Sequence, residues 1–81
     1  MRQRQLKVLN DEIESLINLR DYYVAKMTRL RNRAARLEFQ EGNLEEAKQL
    51  YIDADRIEGV VKQIESELAR LEQQRSKLLK T

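Results

Sequence analysis

From Leu6 onward, apolar residues recur three and four apart: Leu6, Leu9, Ile13, Leu16, then Arg20, then Tyr23, Met27, Leu30, Ala34 and Leu37, nine of ten apolar. A second stripe runs Ala47, Leu50, Ala54, Ile57, Val61, Ile64, Leu68, Leu71, then Arg75, then Leu78, and again nine of ten are apolar. Two such repeats in a chain that is 41% hydrophobic predict two amphipathic helices of the coiled-coil type. Continuing the first stripe through the middle would require apolar residues where Glu41 and Lys48 stand, so the phase shifts there. Gly42 can adopt the left-handed geometry that ends helices. Asn43 suits the following N-cap, with Glu45 and Glu46 placed against the positive end of the next helix. The reading is one domain over 1–81: helix 1 over about 3–41, a turn at Gly42 and Asn43, and helix 2 over about 44–80.

A turn at that point brings residue i beside roughly residue 85 − i in an antiparallel pair. Ile13 then opposes Leu71, Leu16 opposes Leu68, Met27 opposes Ile57, Leu30 opposes Ala54 and Leu37 opposes Ala47. Large residues meet small ones near the turn, as a close-packed seam requires. The charges complement one another too. Lys26, Arg29, Arg31, Arg33 and Arg36 are expected opposite Asp53, Asp55 and Glu58, and Arg20 opposite Glu65. Exposed pairs contribute about 0–1 kcal/mol each, so they select register more than they stabilise. Gly59 falls away from the seam and reads as a tolerated weak point or a slight bend.

Each helix of about 36 residues would be roughly 54 Å long. A two-helix seam of this kind rarely supplies more than about 5 kcal/mol. Apolar residues also lie off the seam. Ile17 and Val24 widen it, whereas Leu19 and Tyr22, with Val60 and Ile52 on helix 2, are harder to bury within one chain. These four are the expected contact residues for a second copy or another protein. The expected fold is therefore all-α: a helical hairpin of two long antiparallel helices, with two hairpins forming a homodimeric four-helix bundle.

Composition narrows the chemistry. The chain has no His and no Cys, so the commonest general base, nucleophile and metal ligands are missing, and the seam carries no carboxylate that could build a bundle metal site. The absence of cysteine fits a cytoplasmic protein, and no apolar run is long enough to span a membrane. A lone Gly42 makes no phosphate loop. No catalysis, cofactor, metal or small molecule is expected. The net charge of +2 is small. Folding back does, however, gather Arg2, Arg4, Lys7, Arg75, Lys77 and Lys80 at one end. That basic pole could neutralise nucleic-acid phosphates, the alternative to a protein partner; against it, no aromatic residues are interleaved for base stacking.

Ala35, Gly42, Ala47, Tyr51 and Ala54, within "AARLEFQEGNLEEAKQLYIDA", stand at spacings that resemble part of a tetratricopeptide repeat. That resemblance covers about a quarter of the chain and implies a helical hairpin used in protein–protein binding. Arg31 occupies the place of the repeat's first-helix aromatic, and no second copy follows. The shared element is hairpin chemistry: glycine ends a helix and alanine permits close packing. Together these readings predict a non-catalytic interaction module, such as a small adaptor, regulator, chaperone or scaffolding factor, that acts by helix packing.

Overall fold

The computed structural model of the protein describes residues 2–80; Met1 and Thr81, the ends of the expected 1–81 domain, lie outside the described residues. It contains two helices, α1 (Arg2–Phe39) and α2 (Leu44–Lys80), packed on each other as a hairpin, with no strand among the described residues. The rod measures 59 × 14 × 13 Å. All positions of both stripes, including Arg20 and Arg75, are buried or half-buried. The 3-4 spacing thus describes the seam along its whole length.

Two packing regimes follow from the residue types. Toward the turn, Ala34, Ala47 and Ala54 are buried and are interleaved with the half-buried Leu30 and Leu50 and the buried Leu37. Toward the open end, Ile13, Ile64, Leu68 and Leu71 form a cluster of large side chains, with Leu9, Leu16, Ile17 and Tyr23 packed against it.

Helix α1 ends at Phe39, two residues before the expected boundary. The cause lies in the backbone. Arg36 O accepts from both Gln40 N (2.9 Å) and Glu41 N (3.1 Å), so the helical ladder widens before Gly42. Gly42 then turns the chain at φ 66°, and Asn43 N returns to Leu37 O at 2.8 Å. The side chain of Asn43 caps α2 by accepting from Glu46 N (3.3 Å), while its Nδ2 donates to Glu46 Oε2 (3.1 Å). Glu46 therefore closes a reciprocal box besides opposing the helix dipole.

The expected charge complementarity is realised in part. Arg31 reaches Glu58 at 2.9 Å and Asp55 at 3.4 Å, and Arg33 reaches Glu46 at 3.6 Å. Asp53 instead accepts from Gln49 (3.1 Å) and faces Arg56 on its own helix (4.0 Å). Arg20 does not cross to Glu65; its guanidinium turns to the adjacent Asp21 at 3.4 Å. A long side chain at a seam position keeps its stem on apolar surface and its head in water, and a neighbouring carboxylate satisfies it without spanning the interface. Lys26, Arg29 and Arg36 make no ion pair among the described residues.

Gly59 sits mid-helix, exposed, and a Cβ added there would meet nothing within 4 Å. Its helical backbone needs no glycine, so Gly59→Ala should raise stability by about 0.5–1 kcal/mol through reduced entropy of the unfolded chain. A urea melt followed by circular dichroism checks this. Loss of stability on that substitution would mean that something outside the single chain packs against this position.

Candidate interaction face

The seam leaves two long sides on the hairpin, set by the positions that flank each stripe. On one side α1 contributes Gln5, Glu12, Leu19, Lys26 and Arg33. On the same side α2 contributes Glu46, Asp53, Val60, Glu67 and Gln74. Three observations show that these rows face each other. Arg33 pairs with Glu46, Glu12 and Glu67 line one cleft, and Gln5 and Gln74 line one groove. In the same register Val60 stands opposite Leu19 and within one turn of Tyr22.

Leu19 is 43% exposed, Tyr22 56% and Val60 37%. They form an apolar band across the middle of this side. Tyr22 is held by its neighbour, with the Tyr22 and Tyr23 ring centroids 5.2 Å apart and an edge-to-face angle of 76°. Tyr23 belongs to the half-buried seam, so the exposed ring rests on the core. Ile52 does not join the band. It stands eight residues nearer the turn than Val60, about 12 Å along α2, and points away from the seam.

The hairpin brings the basic residues to one end, but not as a uniform cationic surface. Lys7 pairs with Asp11 at 3.2 Å, and the half-buried Arg75 donates from Nη1 to Asn10 Oδ1 at 3.1 Å across the seam. Arg75 thus fastens the two helices instead of facing solvent. Arg4 and Lys77 border an open groove of about 680 Å³ floored by Val8, Leu9 and Leu78. The spacing of basic residues suggested a pole; the apolar floor beneath it becomes visible only once the two helices are aligned.

Between band and pole, Arg70 Nε donates to Glu67 Oε2 at 3.0 Å and its Nη2 donates to Oε1. This two-point hydrogen bond holds the Glu67 carboxyl below the usual carboxylate range and raises the Arg70 guanidinium. Ser15, Asp11 and Glu12 line the adjoining cleft. Among the described residues no group of three or more acidic side chains could hold a metal ion.

No family model matches this chain, and no curated protein or solved structure matches it. The functional reading therefore rests on this geometry. The opposite side of the hairpin differs in character. There Ile17 is half-buried against the cluster, as expected, whereas Val24, expected to widen the seam, is 36% exposed, and Glu58, Glu65 and Glu72 follow one another along α2. One side is an acidic ridge; the other has an apolar middle with charges of both signs around it. Among the described residues, no helix is long and apolar enough to cross a membrane.

Proposed function

We propose that this protein is a non-catalytic protein–protein interaction module, of the adaptor, regulator, chaperone or scaffolding kind, which works by packing helices against its Leu19, Tyr22 and Val60 face. The observation that carries the proposal is an apolar band exposed at the middle of a rigid helical face. Surface area supports it. The chain exposes 6255 Å², whereas a compact folded protein of 9.7 kDa exposes about 5,100 Å². The excess, roughly 1,100 Å² per chain, is of the size that a specific protein interface removes from water.

Tyr22 is the expected anchor, because a tyrosine ring held against the core buries a large area at little entropic cost. The band lies on solvent-facing positions of α1, so it can be altered without touching the seam. Leu19→Glu combined with Tyr22→Glu should leave helicity intact and abolish assembly or partner capture, lowering affinity by at least about a hundredfold. Circular dichroism and sedimentation equilibrium measure the two effects separately. Unchanged assembly in the double variant would show that the band is idle.

A further inference from the structure

We infer that the occupant of this face is a second copy of the same chain, packed antiparallel so that the turn of one hairpin lies at the open end of the other. The inference rests on the interaction role proposed above and gives it a partner and an orientation. Leu19 and Tyr22 straddle the midpoint of α1 (Arg2–Phe39), and the facing Val60 lies close to the midpoint of α2 (Leu44–Lys80). A two-fold axis through the band therefore overlaps both helices along their full length, with Leu19 of one copy on Tyr22 of the other.

The charges outside the band obey the same axis. On α1, counting outward from it, Glu12 meets Arg29 of the partner subunit, and Arg29 forms no ion pair among the described residues of its own chain. On α2, which on this side carries the exposed Glu46, Arg56, Arg70 and Lys77 and the half-buried Asp53 and Glu67, the axis sets Glu46 against Lys77, Asp53 against Arg70 and Arg56 against Glu67. Every charged pair so formed joins opposite signs. Each occurs twice by symmetry, as an isologous interface requires.

The parallel arrangement is disfavoured by the charges at the two ends of the hairpin. With both turns at one end, α1 would lie on α2 of the other copy; in the register of the facing rows Lys26 would meet Asp53 and Arg33 would meet Glu46, while Glu12 would meet Glu67, so the middle of the face does not decide the orientation. Parallel packing would, however, stack two open ends, each carrying Arg4, Lys77 and Lys80. Antiparallel packing instead brings that end to the turn, where Glu38, Glu41, Glu45 and Glu46 cluster. Like-charge juxtaposition suppresses wrong pairings even where each correct pair is weak. The acidic ridge of Glu58, Glu65 and Glu72 keeps the other side from self-pairing in the same way.

The chain has no cysteine, so Lys48→Cys, an exposed position near the turn, gives one spin label per copy. Antiparallel packing predicts a dimer by sedimentation equilibrium and a label-to-label distance of about 40 Å by double electron–electron resonance. A dimer with labels about 20 Å apart would overturn the orientation. A strict monomer at high micromolar concentration would overturn the choice of partner; the interaction role would then be decided by whether the Leu19→Glu and Tyr22→Glu variant loses a different protein. Charge exchange provides an independent check. Arg70→Asp should weaken dimerisation about tenfold, and Asp53→Arg with Arg70→Asp in one chain should restore it, since both partners of the facing pair are then inverted. A double variant that folds normally by circular dichroism yet stays weak would remove the proposed Asp53 and Arg70 pairing.

Discussion

Leu71→Ala is expected to destabilise the protein by roughly 2–5 kcal/mol, which for a hairpin of this size is most of its folding free energy. Leu71 is 2% exposed and belongs to the cluster of Ile13, Ile64 and Leu68. Truncation removes buried methyl and methylene groups and leaves a cavity between two helices. Toward the open end the helices are packed on each other by this cluster, and the Arg75 to Asn10 hydrogen bond crosses between them. They can collapse into the gap only by bending, because each is an unbroken rod. The largest change should be loss of helix cooperativity at the open end, since isolated helices are marginal without tertiary packing. Thermal and urea unfolding at fixed protein concentration test this, with Leu79→Ala as the surface control, where the side chain is 65% exposed. A cost for Leu71→Ala within about 0.5 kcal/mol of that control would show that the open half is not held by this cluster.

Ala54→Leu probes the opposite regime and should cost about 1–3 kcal/mol by overpacking. Ala54 is fully buried, and so is Ala34 on the facing helix. The register sets Leu30 against Ala54, one large residue filling the space beside a small one. Adding a second leucine forces off-rotamer side chains or separates the helices just beyond a turn whose hydrogen bonds fix their spacing. The decisive comparison is Leu30→Ala with Ala54→Leu, which exchanges the large and small partners and conserves total volume. Recovery of most of the lost stability in that double variant is expected, measured as a coupling energy in a double-mutant cycle. Additive losses would mean that the two residues do not share the same space.

These two substitutions also separate what is local from what is not. A given seam residue is assigned to the buried side by its place in a 3-4 repeat. Whether it tolerates a change in size depends on the residue across the interface, and that depends on register. The charged flanks depend on register even more. Arg31 lies where the antiparallel rule sends it and meets Glu58 and Asp55, whereas Arg20, just as well placed on paper, satisfies itself with Asp21. The proposed contact residues divide likewise: Leu19, Tyr22 and Val60 share one level of one side, and Ile52 points elsewhere.

The amino-acid sequence by itself determined the helices, their seam and the place of the turn. These follow from period, from φ-permissive glycine and from capping chemistry, all of which act over a few neighbouring residues. Only the tertiary structure decided that α1 stops at Phe39, that Arg75 bonds to Asn10, and that Leu19, Tyr22 and Val60 share one side. The physical reason is reach. A helix end is fixed by carbonyls that the returning chain must find, and a long cation chooses among every carboxylate or amide within several ångströms, on whichever helix it lies. Those choices exist only after two rods have been laid side by side at one definite stagger.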